Sequence, residues 1–365
     1  MALPIYVILL YFGILYTNMS ENKIGTMLRI PIRILLLTFC LYACSDHDKD
    51  QNQFSYDTEV IAVFSPYGTT GQTNADLLYR GMIQATDSLG ITFRPIFPLT
   101  YEEGAEILSE LVKDNKAGFK RLIVSTNIEY SDHLRELADN GLVTDSDSTR
   151  LLVFDGNFRH QDIYTAHIPY YGMMYKAGYV ASRMSDVENI MIYIANEEYC
   201  YIREGMNGFI DGFTQNKEAF YDVNNFSTIN EDSAEGFMLS SLAYATYARE
   251  CVDVFDMILP LCGETVMGFL RYNREFPESF YTVGVETDRS SYSHDVPFSC
   301  ITHYDRVISE CIADWADNRL EHYRRFGMDE GWTELMISED YRSQLEPAAD
   351  EIHFQAIEKE EGYED

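Results

Sequence analysis

Positive charge is scarce in this chain. Lys and Arg number 27 against 59 Asp and Glu, a formal net charge of −32 over 365 residues. Such a surface repels phosphate backbones and anionic lipid, so nucleic acid is not an expected partner and charge alone would not hold the chain to a membrane. Several chemistries also lack their local patterns: no GxSxG nucleophile elbow, P-loop or HExxH pair occurs. The loop Tyr67-Gly68-Thr69-Thr70-Gly71-Gln72-Thr73-Asn74 holds two glycines but neither GxGxxG spacing nor a lysine for phosphate. The eight histidines are scattered, so no metal site or cofactor is expected. Carboxylates are too numerous for any pair to stand out as an acid/base couple. Nothing in these patterns asks for catalysis, and the chain is read as a non-enzyme.

Cysteine is sparse too. Of seven, Cys40 and Cys44 fall near the amino terminus, leaving Cys200, Cys251, Cys262, Cys300 and Cys311 without CxxC spacing. One or two disulfides are open to these five, with no connectivity readable from spacing. Cys251 and Cys300 lie in apolar, strand-like runs, which predicts buried thiols.

What is plentiful is apolar and aromatic. Hydrophobic residues make up 46% of the chain, and 27 Tyr and 21 Phe are enough for a large core. Tyrosine also offers flat contact area with a hydroxyl handle, which suits small polar ligands. Near the start, Arg29 and Arg33 precede the apolar run Ile34-Leu35-Leu36-Leu37, and Leu41-Tyr42-Ala43-Cys44 follows. A basic region, a short apolar region and a small residue before a cysteine form a secretory signal pattern. Leu41-Tyr42-Ala43-Cys44 resembles the lipobox of bacterial lipoproteins, which implies lipidation at Cys44. An earlier apolar run, 3–16, contains no basic residue and is short for a membrane span. The expected start is therefore Met27, with a membrane anchor at 3–16 as the other reading. Acidic residues directly after Cys44 resemble export signals by which some Gram-negative lineages send lipoproteins to the cell surface. The resulting expectation is a lipid-anchored protein of the bacterial envelope, on the periplasmic face or the cell surface.

From residue 59 strand and helix patterns alternate. Strands are predicted over 60–64, 91–97, 119–124, 151–154, 165–168, 219–226, 252–259, 281–285 and 298–303. Helices are predicted over 76–89, 102–113, 133–137, 175–184, 237–248, 266–272 and 306–322. The stretch 189–213 shows the unit most clearly. Ile190, Ile192 and Ile194 alternate as a buried strand, a polar turn follows at Ala195-Asn196-Glu197-Glu198, and Gly205, Gly208, Phe209, Gly212 and Phe213 recur at helical spacing. No low-complexity linker divides the chain. Alternation of this kind predicts parallel sheets with helices on both faces, and its length predicts two lobes. Ligands in such folds sit beyond the carboxyl ends of the strands.

These blocks, in this order, resemble the basic membrane protein family. They are 60–81 with its Gly-containing loop, Leu151-Leu152-Val153-Phe154-Asp155-Gly156 with Tyr175-Lys176-Ala177-Gly178, the glycine-spaced helix after 189–194, the run from Val252 through Gly263 and Gly268, and Gly284-Val285-Glu286 followed by Ser299-Cys300-Ile301-Thr302. Members are lipoprotein substrate-binding components of ABC transporters, and many bind nucleosides. The resemblance implies an α/β architecture of the type I periplasmic-binding kind, with two Rossmann-like lobes, parallel sheets and a ligand cleft between them. It implies a small polar solute, nucleoside-like by family precedent, and an ABC transporter permease as partner. Departures fall where the family holds its ligand: Gly71 and Ala75 replace the first loop's Asp and Asn, Glu286 replaces an Asp, Thr302 a Lys, and Ala195-Asn196 a glycine pair. A surface or envelope interaction protein that keeps the fold without transport is the other reading of those departures.

The expected division is a signal and upstream segment 1–43, a lipidated tether 44–56, lobe 1 over 57–165 with a return segment near 290–323, lobe 2 over 166–289 with 324–355, and an acidic tail 356–365. The expected ligand residues are Tyr67 and Phe158 for stacking, Glu286 and Asn74 for hydroxyl groups, Ser125, Asp155 and Asn196 as polar groups at strand ends, and Thr302 at the position of the family's lysine. Each of the strand-end residues could equally be a loop or helix cap.

Overall fold

The computed structural model describes residues 55–363, apart from 67–73, 115–118, 144, 147, 219 and 229–235. Cys44 and Tyr67 lie outside the described residues. Strand β1 (Ser55–Val63) begins inside the expected tether.

An unbroken apolar run needs cover on both faces. Val60, Ile61, Ala62, Val63 and Phe64 are all fully buried, and the strand they form sits inside a six-stranded sheet. With β2 (Ile91–Ile96), β3 (Lys120–Ser125), β4 (Thr149–Phe154), β5 (Tyr164–His167) and β12 (Tyr323–Arg325), the order is β12-β5-β4-β3-β1-β2, every pair parallel. The period of two decides which face each residue serves. Val60 and Ala62 join the cluster that holds Leu78 and Met82 of helix α1 (Asn74–Leu89). Val63 and Ile123 join another, with Leu108 of α2 (Tyr101–Lys113) and Leu134 of α3 (Ser131–Asp139).

The second set of strands starts at β6 (Asn189–Ile194). It pairs in parallel with β7 (Phe220–Asn225) and β8 (Met257–Leu261), and β8 pairs with β9 (Tyr281–Thr282). Only Val283 separates β9 from β10 (Gly284–Glu286), which opens a three-stranded sheet in the order β10-β11-β13, with β11 at Phe298–Thr302 and β13 at Thr333–Ile337. Here the expectation of parallel sheets needs one correction. Strand β13 runs antiparallel to β11, from Phe298↔Ile337 to Thr302↔Thr333. The chain reaches β13 directly from β12 in the other sheet, and an antiparallel neighbour needs no crossover helix.

The chain passes between the six-stranded sheet and the two smaller sheets three times: from β5 to α4 (Tyr171–Ser182), from β11 to α8 (Tyr304–Ala316), and from β12 to β13. Within the stretch 290–323, then, Phe298–Thr302 pairs beside β10 and β13, and the chain reaches the first lobe only at α8, which packs against α1. The last helix, α9 (Arg342–Glu361), packs against α4. It absorbs most of the stretch read as an acidic tail. Ala356 and Glu360 are buried there, because the Glu360 carboxylate accepts hydrogen bonds from Arg325 (2.9 Å) and the Met328 amide (3.0 Å).

Helix α4 is buried along its whole length. Its other neighbour is α5 (Cys200–Phe213), and the two meet backbone to backbone. A Cβ on Gly212 would collide with the Tyr175 carbonyl, and one on Gly178 with the Phe209 carbonyl. Gly178, Gly208 and Gly212 are therefore packing requirements. The helical stretch Ser240–Leu242, a π-turn at Ala243–Tyr247 and Ala248–Cys251 form α6, and α7 is Val266–Glu275. Cys251 thus ends a helix rather than lying in a strand. The chain turns at Asp253, with φ of 61°, before β8 begins at Met257. Cys251, Cys262, Cys300 and Cys311 are buried free thiols.

Candidate functional site

In a doubly wound sheet the connections after neighbouring strands leave to opposite sides where the strand order reverses, and a crevice opens beyond the strand ends. The first sheet reverses between β1 and β3, the second between β6 and β8. The residues beyond those ends line one shared cavity. Ser65 follows β1, Thr126 to Glu129 follow β3, and Asp155 follows β4. From the other side come Tyr201, Ile202 and Gly205 of α5, the run Pro260 to Glu264 at the end of β8 in the four-stranded sheet, and Val285 and Glu286 of β10 in the three-stranded one. Tyr170 and Tyr304, each on a segment where the chain changes sheets, complete the wall. The enclosed space open to water is about 110 Å³, room for several water molecules or a small solute.

Backbone conformation aims two of the acids. Asp155 has φ of 59° and Glu286 of 68°, left-handed values that a non-glycine residue adopts at a cost. Both residues end a strand, and the left-handed turn directs each onto the wall. Tyr170 ties the Asp155 side to the second crossing. Its hydroxyl donates to Asp155 Oδ2 at 2.8 Å and lies 2.7 Å from the Tyr304 hydroxyl. Behind this chain the buried Glu204 accepts the Tyr170 amide at 3.2 Å.

Burial dominates the electrostatics. It pushes the Asp155 carboxyl well above its ordinary value, opposed by the Tyr170 hydrogen bond and reinforced by Glu204 and Glu286. It pushes Glu286 up to about 7, opposed by the charge of Arg289. The hydroxyls of Tyr170, Tyr201 and Tyr304 are raised by the same cause and stay protonated as donors. The Cys262 thiol on the wall is raised by burial and by Glu286. A thiol so placed is a packing group rather than a nucleophile. Among the described residues no group of three or more His, Cys, Asp or Glu could hold a metal ion.

Of the residues expected from sequence, Asn74, Asp155 and Glu286 lie on the wall. The others described do not. Ser125 is fully buried and its hydroxyl donates to the Asn127 carbonyl at 3.2 Å, holding the turn after β3. Asn196 accepts the Glu198 amide at 2.9 Å and shapes the loop before α5. Thr302 is buried within β11. Phe158 packs beside the cluster under α2 and α3, with the Arg135 guanidinium 5.8 Å from its ring centre. Sequence reasoning did not reach Glu129, Tyr170, Tyr201, Glu264 or Tyr304. Position at the carboxyl end of a strand would have flagged Glu129 and Glu264. Nothing local marks Tyr170 and Tyr304 among 27 tyrosines.

Three comparisons bear on the site. A family model described as Bmp, ABC transporter substrate-binding protein PnrA-like, matches residues 80–361. No curated protein sequence matches the chain. Among solved structures, an ABC transporter solute-binding protein from Aeropyrum pernix K1 is similar at a TM-score of 0.63 and 14% identity, over 83% of this chain and 85% of that one. A transcriptional activator of the comK gene from Bacillus halodurans is similar at 0.60 and 16%, over 81% and 97%. An ABC transporter solute-binding protein from Agrobacterium vitis, solved with bound allitol, is similar at 0.54 and 11%, over 82% and 100%. At these identities the structural likeness concerns the fold.

Proposed function

This chain belongs to the PnrA-like family of ABC transporter substrate-binding proteins, whose model spans residues 80–361, and from that premise we propose that it captures a small polar solute by closure of its two lobes for delivery to an ABC transporter permease. The family is one of binding rather than catalytic proteins. The observation that carries the reading is the cavity itself: strand ends from both sheets line it, together with two of the segments that pass between them. A solute held there touches both lobes, and its binding energy favours the closed arrangement.

Within that reading, Asp155, Glu286 and Asn74 accept or donate hydrogen bonds to the solute, and Tyr201 and Tyr304 supply aromatic contact. A nucleoside is one candidate, with ribose hydroxyls donating to Glu286. The chain is held at the bacterial envelope, on the periplasmic face or the cell surface, through lipid on Cys44. Among the described residues no helix is long and apolar enough to cross a membrane. Replacing Cys44 with Ala should release the protein from the membrane fraction; a variant still sedimenting with membranes would remove the lipid anchor.

Thermal unfolding of the full chain against nucleosides, sugars and amines tests the capture reading. A solute at a hundred times its dissociation constant should add about 2.7 kcal/mol of apparent stability. No shift with any of them would favour an envelope protein that interacts through its surface.

A further inference from the structure

The wall offers acid and no base. Glu129, Asp155, Glu264 and Glu286 line the cavity from both sheets, and no Lys, Arg or His does. Segments 67–73 and 229–235, which in sequence adjoin the wall residues Asn74 and Phe237, contain no Lys, Arg or His either. Two of the four acids receive no hydrogen bond from the described residues. Glu264 Oε2 is shut away from solvent and has no hydrogen-bond partner. Among the described residues none donates a hydrogen bond to the Glu286 carboxylate, and the charge that favours its ionised form is Arg289. Arg289 does not line the cavity. Its guanidinium donates to the Val285 carbonyl at 3.3 Å and lies 3.7 Å from the Met267 sulfur.

Enclosed carboxylates are costly unless a proton or an opposite charge accompanies them. Here both sheets contribute such groups to one space, and the described protein supplies no cation to it. The acids do not converge on a point, since no three of them stand close enough to hold a metal ion. Hard cations need several oxygens around one centre. Carboxylates spread over a wall suit a charge carried on an extended molecule. The rest of the lining fits the body of such a molecule: Tyr201, Tyr304 and Phe237 bring aromatic rings, whose faces attract cations, and Met174 and Leu261 add apolar surface.

We infer that the cavity takes an organic cation, an ammonium or amidinium group on a small, partly apolar body. The inference rests on the capture reading above and sharpens the solute class for that same cavity. A cation entering between Glu264 and Glu286 replaces the missing partner of both. A neutral polyol can accept protons from raised carboxyls but leaves the charge of any ionised acid unanswered.

Matched ligands decide it. Calorimetry on the full chain would compare choline with its uncharged isostere dimethylbutanol, tyramine with ethylphenol, and agmatine with the neutral polyols guanosine and allitol. At least one cation should bind about a hundredfold more tightly than its neutral counterpart. Glu286→Gln and Glu264→Gln should each weaken that cation about tenfold or more, while each variant still unfolds in one cooperative transition. Should a neutral isostere or polyol bind as tightly as any cation, the inference fails while the capture reading stands. Should no solute of either kind bind, the capture reading fails and the inference with it. The parent panel needs no variant, so a misfolded substitution cannot hide the answer.

Discussion

Helix α5 takes part in two regions that obey opposite rules. Its Gly208 and Gly212 face α4, where the backbones touch and no side chain is tolerated. Its Tyr201, Ile202 and Gly205 face the cavity, where the wall leaves space and unpaired acid. The helix–helix contact is satisfied within the protein. The cavity is not: it gathers enclosed carboxylates, two of them in left-handed backbone, and provides no cation. Packing regions settle their own accounts, whereas a binding region leaves some interactions for its ligand to complete.

Substitutions along α5 should break that contrast most visibly. Gly212→Val puts three carbons into the Tyr175 carbonyl and should destabilise the protein by about 3 kcal/mol or more, read from urea unfolding. Gly205→Ala is the control on the same helix. Its nearest neighbour would be Leu261 Cδ1 at 3.5 Å, an ordinary contact, and a helical Gly→Ala exchange gains about 0.5–1 kcal/mol from the unfolded chain. Stability should hold or rise, while any ligand of the cavity binds less well. If both variants unfold alike, the two faces of α5 do not differ as described.

The wall should also show itself through pH. Glu286 sits at about 7 in the folded protein against an ordinary 4.5, so the folded state holds a proton that the unfolded chain has released. Where the folded state binds more protons, stability falls as pH rises. Its contribution is therefore fully present below about 4.5 and lost as pH climbs through about 7. Glu360, raised by burial to about 7 as well, acts in the same direction. Comparing denaturation at pH 5 and pH 8, Glu286→Gln should reduce the loss by about 1–3 kcal/mol. An unchanged slope would mean that Glu286 is hydrated and ordinary.

Two smaller effects sharpen the comparison. Tyr304→Phe removes the hydroxyl that links the second crossing to Tyr170, while Tyr170 still donates to Asp155. The cost should be about 1 kcal/mol of stability, with a larger relative change in ligand affinity; an affinity left untouched would make the tyrosine pair purely structural. Asn196→Ala should cost less than about 1 kcal/mol, because it loses one loop hydrogen bond, and should leave binding unchanged. Any marked loss of affinity there would return Asn196 to the wall.

How far the sequence could be read follows the same division. The alternation of strands and helices was legible because the central strands β1, β3, β4, β6 and β8 are covered on both faces, and their apolar runs record that cover directly. The glycine spacing of α5 was legible for a similar reason, since close helix contact restricts residue type at fixed intervals. The strand-end rule offered Asp155, which lies on the wall, and equally Ser125 and Asn196, which do not; the family blocks offered Glu286, which lies there, and Thr302, which does not. The three off the wall find their partners or their burial in the turn, loop and strand that hold them. Strand ends need polar caps whether or not a ligand is near, so composition at a strand end cannot separate the two uses.

Taken alone, then, the sequence determined the alternating architecture, the family blocks, the acidic balance and the close-packing helix, all features written in local periodicity or in totals. Only the tertiary structure decided that β13 returns antiparallel, that Cys251 ends a helix, that 356–361 completes α9, and that Glu129, Asp155, Glu264 and Glu286 share one cavity with Tyr170 and Tyr304. Those six residues are spread from position 129 to position 304. Their meeting depends on strand order and on where the chain crosses between sheets, and neither leaves a mark on the residues nearby.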